Sequence, residues 1–102
     1  MTAARFDPVV HAPNRLQICA MLAAVSSAEF SAVRHELGVS DPVLSKHVKV
    51  LAEAGYLTIG KATVASRQRT WLALTTAGRA AFGGHVAALQ QLLGAATAGD
   101  GP

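Results

Sequence analysis

Cysteine is almost absent from this chain: Cys19 is the only one. No intrachain disulfide can form and a cysteine-rich zinc site is excluded, which fits a reducing compartment. Aromatic residues are scarce at 5%, although hydrophobic residues make up 51% of the 102 positions. Much of the excess is alanine, which favours helices over strands. Acids number only six and lie scattered, so paired-carboxylate acid–base chemistry is improbable. There is no nucleophile with a base beside it and no glycine-rich phosphate loop. His11, His35, His47 and His85 do not have metal-ligand spacing. The expectation is therefore no enzyme, no metal and no cofactor. A long hydrophobic run is missing too. The stretch between Arg79 and Asp100 is uncharged, but Gly83, Gly84, His85, Gln90, Gln91 and Gly94 make it too polar for a spanning helix. Met1 to Pro13 lacks the layout of a signal peptide. A soluble cytoplasmic protein is expected.

What is present is enough apolar surface to fold one domain rather than to stay disordered. A chain of this size buries only about two-thirds of its unfolded surface, so a partner subunit would help it. The net charge is +3, and its distribution matters more than its size. Residues 1–55 balance five basic against five acidic groups, while residues 56–102 set Lys61, Arg67, Arg69 and Arg79 against Asp100 alone. That asymmetry suggests a polyanion such as nucleic acid.

Periodicity divides the chain. Residues 1–13 read as an N-terminal arm broken by Asp7-Pro8 and Ala12-Pro13. A first helix is expected over about 14–25, with Asn14 as N-cap. Leu16, Ile18, Cys19, Ala20, Met21, Leu22 and Val25 surround it on nearly all sides, so it should be buried on more than one side, one of them facing another subunit. Phe30, Val33 and Leu37 share one face of a short helix over 31–37, closed by Gly38. Ser40 and Pro42 then open a third helix over 41–54, which Gly55 ends. Its inward stripe is Leu44, Val48 and Leu51. Its outward face holds Pro42, Val43, Ser45, Lys46 and Lys49. From Tyr56 to Thr75 the pattern alternates about a polar centre, Val64 to Arg69, and reads as a hairpin with Arg67 and Arg69 at or near its tip. The last helix, from Thr75 or Thr76 to about Ala96, carries Phe82, Val86, Leu89 and Leu93 in a narrow coiled-coil seam. A small polar tail over 97–102 is expected to fray.

This order of elements, mainly α with a small β-hairpin, is that of a winged helix-turn-helix. The B-DNA major groove admits one α-helix, entered by its N-terminal residues. Arginines on a hairpin can reach a neighbouring minor groove or the backbone.

The stretches RLQICAMLAA, FSAVRHELGVSDPVLSKHVKVLAEAGYL and LALTTAGRAAF resemble the short winged-helix transcriptional regulators related to the MarR and ArsR groups. The resemblance spans about residues 9–94 and is most specific at 44–57 and 74–79. It implies a homodimeric bacterial regulator, acting as repressor or activator on a palindromic DNA operator. It implies a recognition helix around Pro42 to Lys49 and a wing over 60–70. It also implies a dimer interface built from the first and last helices, here Leu16, Ile18, Met21 and Leu22 with Phe82, Val86, Leu89 and Leu93. The cysteine motifs of ArsR-type metal sensors are missing. So are the longer terminal segments of full-length MarR-type proteins, and no small-molecule effector is assigned.

Each candidate also has an ordinary reading. Lys46, Lys49 and Lys61 could be solvated charges, Ser40 a cap, Ser45 a tolerated helix residue, and Pro42 and Val43 simply the start of the helix. Arg67 and Arg69 stand out because no acid lies near them in sequence. Asp41 would repel phosphate and is left out of the contact set. Arg79 is expected to make an intramolecular or dimer contact, and His47, Cys19 and Trp71 to pack. The function expected is sequence-specific DNA binding in transcription regulation, with repression favoured. The alternative is a winged-helix protein-interaction module.

Overall fold

The computed structural model describes residues 3–99. Five helices and three strands follow one another: α1 (Pro8–His11), α2 (Pro13–Ala23), β1 (Ala28–Glu29), α3 (Phe30–Leu37), α4 (Asp41–Glu53), β2 (Leu57–Val64), β3 (Arg67–Leu74) and α5 (Thr76–Gly99). The expected tail over 97–102 continues α5 as far as Gly99, and residues 100–102 lie outside the described residues.

Local chemistry fixes the element boundaries. The two X-Pro pairs of the arm start helices rather than break the chain. Asp7 caps α1 by accepting from the Val9 and Val10 N–H groups, with Pro8 in the first turn. Pro13 opens α2 one residue before the expected Asn14, and its N-cap, Ala12, offers no side-chain bond. Asn14 serves elsewhere, as described below. Gly38 ends α3 at φ 68°, the left-handed value that favours glycine. Ser40 Oγ accepts from Val43 N at 3.4 Å to cap α4. Thr75 joins the end of α4 to the start of α5, because its hydroxyl accepts from Gly78 N at 2.9 Å and donates to the Gly55 carbonyl at 2.6 Å.

The hairpin pairs β2 and β3 without a break from Leu57↔Leu74 to Val64↔Arg67. Its turn is only two residues, Ala65 and Ser66, both with positive φ (51° and 66°). That is the backbone that matches strand twist in a tight hairpin. A third strand, absent from the sequence reading, is β1. It pairs with β3 through Ala28↔Leu72 and Glu29↔Trp71, giving the antiparallel order β1-β3-β2. Two residues are too few to show a period of two in sequence.

One aliphatic core lies where α2, α3, α4 and the sheet meet. Ile18, Cys19 and Leu22 of α2, Val33 of α3, and Leu44, Val48 and Leu51 of α4 are buried with Leu57, Leu72 and Leu74. Val10 of α1 is fully buried among them, so the arm belongs to the same core. This packing corrects two expectations of subunit contact. Ile18 and Leu22 are 0% and 1% exposed within a single chain and have no surface to offer a partner. Leu16, Met21, Phe82, Val86 and Leu89 are only half-buried, and Leu93 is 64% exposed.

The distal part of α5 leaves the body. The radius of gyration is 15.6 Å, against about 13 Å for a compact chain of this length, and the longest dimension is 63 Å. Gln91 to Thr97 are exposed on all sides, including Leu92 at 64%.

Glycine has opposite roles at the two ends of this helix. A Cβ at Gly78 would overlap the Tyr56 carbonyl group, so α5 can approach the α4–β2 junction only with hydrogen at that position. A Cβ at Gly94 meets nothing. Gly78→Ala should cost about 1–3 kcal/mol. Gly94→Ala should gain up to about 1 kcal/mol from helix propensity. Urea unfolding of the two variants checks the difference in sign.

Candidate nucleic-acid interface

The exposed face of α4 begins beside its capped N-terminus, where the unpaired N–H groups point outward. Pro42, Val43, Ser45, Lys46 and Lys49 are all exposed, while Leu44, Val48 and Leu51 anchor the opposite side. Ser40 sits at the boundary, with its oxygen engaged in the cap. Lys46 has no ion pair among the described residues. Lys49 lies 3.9 Å from Glu53 one turn on, and both side chains are largely exposed. A pair like that is held weakly and exchanges readily with another anion.

Asp41 is the one acid in the first turn of α4. Arg34 of α3 reaches it at 2.9 Å across the turn. The pair partly offsets the carboxylate's charge next to the exposed lysines and links the two helices of the turn motif.

His47 fixes α4 from its half-buried flank. Arg15 Nη1 of α2 lies 3.4 Å from His47 Nδ1, and the Asn14 amide lies 3.3 Å from Nε2. Arginine can only donate, so Nδ1 accepts and the ring proton sits on Nε2, facing the Asn14 amide oxygen once that amide is turned. Burial, with Arg15 and Lys46 nearby, holds His47 below the ordinary histidine value, so the ring stays neutral near pH 7. Arg15 also donates through Nε to the Val9 carbonyl at 2.6 Å, closing the end of α1. Arg79 does the same for α2, donating to the Ala23 and Val25 carbonyls at 3.1 and 2.8 Å. It makes the intramolecular contact expected of it. Cys19 is fully buried, and burial pushes its thiol up to about 11, which leaves it unreactive.

The wing corrects the reading of its arginines. The two-residue turn leaves Arg67 exposed at the first position of β3 and puts Arg69 inside the strand. Arg69 does have an acidic partner. Its Nη1 donates to both carboxylate oxygens of Glu29, at 2.9 and 3.0 Å. The acid lies 40 residues away in sequence and arrives beside β3 through β1, out of reach of any local reading. Lys61 is exposed opposite Thr70.

Between the outward side of α4 and the sheet runs an open cleft of about 710 Å³, lined by Ser45, Val48, Lys49, Phe30, Ile59 and Leu72 among others. One wall is α4 and the other the sheet at Ile59, Thr70 and Leu72; Asp41 and Glu53 also line the cleft, while Lys61 and Arg67 lie beyond it on the hairpin. Ile59 is 48% exposed on its wall.

Comparison with known proteins agrees with this geometry. Residues 14–93 match the family described as the winged helix DNA-binding domain. An uncharacterized protein of Methanocaldococcus jannaschii is 31% identical over 78 residues, covering 76% of this chain and 85% of that one. The solved structure of a transcriptional regulator homologue from Pyrococcus horikoshii superposes with a TM-score of 0.81 at 25% identity, over 85% of this chain and 86% of that one. The ytfH protein of Salmonella typhimurium shares the fold at a TM-score of 0.68 and 22% identity, over 87% and 85% of the two chains.

Glu29→Gln should leave the Arg69 guanidinium without its counter-charge and lower stability by on the order of 1 kcal/mol. Thermal unfolding measures the loss. Amide exchange at Ala28 and Glu29 should rise with it as β1 detaches.

Proposed function

The chain belongs to the winged helix DNA-binding domain family; from that premise we propose that it is a winged helix-turn-helix DNA-binding regulator related to the MarR group, acting as a homodimeric repressor on a palindromic operator. Two copies of α4 would enter successive major grooves about 34 Å apart. The observation that carries this reading is the exposed face of α4, where Lys46 has no ion pair among the described residues, Lys49 holds only a long, exposed contact to Glu53, and Arg34 faces the first-turn acid Asp41.

The roles divide by chemistry. Lys46 and Lys49 would neutralise phosphates. Ser45 would donate to a base edge or a phosphate, and the apolar surfaces of Pro42 and Val43 would touch a thymine methyl. Lys61 and the exposed Arg67 would supply the cations of the wing. Ser40 acts as the helix cap. Arg69 holds β1 to the wing through Glu29 and is taken out of direct contact.

The distal half of α5 supports the dimer. An isolated helical segment of about ten residues is not stable in water, yet Leu92 and Leu93 project from this one at 64% exposure. A second α5 packed along Leu89, Leu92 and Leu93, with Phe82 and Val86 nearer the body, would cover them. Leu16 and Met21 could contribute from α2.

Three measurements decide these points. Selection from a random duplex library should return inverted half-sites spaced by one helical turn. In binding titrations, Lys46→Ala with Lys49→Ala should flatten the log–log salt slope by about two units, one per lost phosphate contact. An unchanged slope would remove α4 from the interface. Leu92→Glu with Leu93→Glu should give folded monomers by analytical ultracentrifugation. A dimer of unchanged mass would place the subunit contact elsewhere.

A further inference from the structure

The N-terminal arm is fastened to α5 by a chain of hydrogen bonds that the DNA-binding reading does not use. His85 is fully buried on α5. The Asp7 backbone N–H donates to its Nδ1 at 2.9 Å. Its Nε2 lies 3.0 Å from His11 Nδ1. The Phe6 ring packs against both imidazoles, with centroids 4.7 Å from each. A backbone bond from Arg5 N to the Gly84 carbonyl, 2.9 Å, extends the attachment along α5.

Proton positions in this chain run in one direction only. An N–H pointing at His85 Nδ1 requires a lone pair there, so the ring proton of neutral His85 sits on Nε2. That proton in turn requires a lone pair on His11 Nδ1. Neither acceptor can take a proton without turning a hydrogen bond into a donor–donor clash. We propose that His85 and His11 form an acid-sensitive latch, in which protonation of His85 breaks the chain and frees residues 5–11 from α5.

The surrounding groups do not rescue the protonated form. On the arm, the Asp7 carboxylate is the nearest anion and would favour a cationic His85. It is already occupied, since it accepts from the Tyr56 hydroxyl at 2.6 Å and from the Val9 and Val10 N–H groups at 2.9 and 3.2 Å. Burial favours the charge-free carboxyl, but those three hydrogen bonds outweigh it and hold Asp7 below its ordinary value, ionised and engaged. Tyr56, raised by that same bond, stays protonated at neutral pH, with Arg5 close by. From α2, Arg15 is committed to the Val9 carbonyl, and Cys19 is a neutral thiol. Burial and the neighbouring His11 outweigh the pull of Asp7 and lower His85 from the usual histidine value.

The sign follows from linkage. A released His85 takes its proton near pH 6.5, whereas the docked one resists it. Docking of the arm is therefore at full strength above about pH 6.5 and is lost progressively below it, by up to about tenfold per pH unit for one proton taken up. Because Val10 of the arm is part of the core, the acid-opened form also loses core contacts.

Amide exchange of the full chain, corrected for intrinsic rates, tests the latch between pH 7.5 and 5.0. The Asp7 amide should lose protection about tenfold per pH unit below 6.5, while the Leu51 amide in α4 keeps its own. Protection at Asp7 that does not change across the range would overturn the proposal. In His11→Gln with His85→Gln, the pH dependence should vanish while the arm stays docked, since glutamine can both accept and donate but does not titrate here. A pH dependence that persists in this variant would assign it to another group. If the variant does not fold, cross-relaxation between the Phe6 and His85 rings of the unmodified protein decides. Contacts that survive at pH 5.0 with a protonated His85 would refute the latch.

Discussion

The structure depends on burying one small aliphatic core from several sides at once. The largest fully buried side chains are Ile18, Leu22, Leu44, Leu51 and Leu72, with His85 the only ring among them. No phenylalanine, tyrosine or tryptophan is fully buried to supply the large area a single aromatic brings. Each leucine must therefore serve two or more elements. Leu44, Val48 and Leu51 hold α4 to the rest of the molecule, and every exposed group on α4 is aimed by that anchoring. A slip of α4 by one residue would rotate its lysines about 100° around the helix axis and expose part of the stripe.

Such a core sets distances well but directions less well, because apolar contact is not directional. The polar ties supply the directions. Asn14 and Arg15 hold His47, Arg34 holds Asp41, Arg79 closes the end of α2, and Thr75 joins the end of α4 to the start of α5. Four of the nine basic residues, Arg15, Arg34, Arg69 and Arg79, are engaged inside the molecule. Net charge thus overstates the cationic surface left for a polyanion. That surface is concentrated on α4 and the wing, at Lys46, Lys49, Lys61 and Arg67.

The arm meets the α4–β2 junction at Tyr56. Its hydroxyl meets Asp7 of the arm, its carbonyl accepts from Thr75 N at 3.0 Å, and that same carbonyl group forbids a side chain at Gly78. Arm, α5 and the α4–β2 junction therefore converge on one residue. The distal part of α5 is free of these constraints and stands out as an apolar rod.

Helices α2 to α5, their order and the hairpin were written in local sequence, whereas the short α1 was not. Ser40-Asp41-Pro42, Gly38, Gly55 and Thr75 act within one turn of their own position, and the Leu44–Val48–Leu51 spacing identifies the inner face of α4 without reference to the rest of the chain. The exposed face of the candidate interface was legible for the same reason. Tertiary structure alone decided what those residues do to distant ones. It paired Arg69 with Glu29 across 40 positions and His85 with Asp7 across 78. It placed Ile18 and Leu22 inside their own subunit and made a third strand from two residues. Propensity and periodicity are properties of neighbours on the chain, whereas a long-range ion pair or an imidazole hydrogen bond exists only after the core has brought remote segments within about 3 Å.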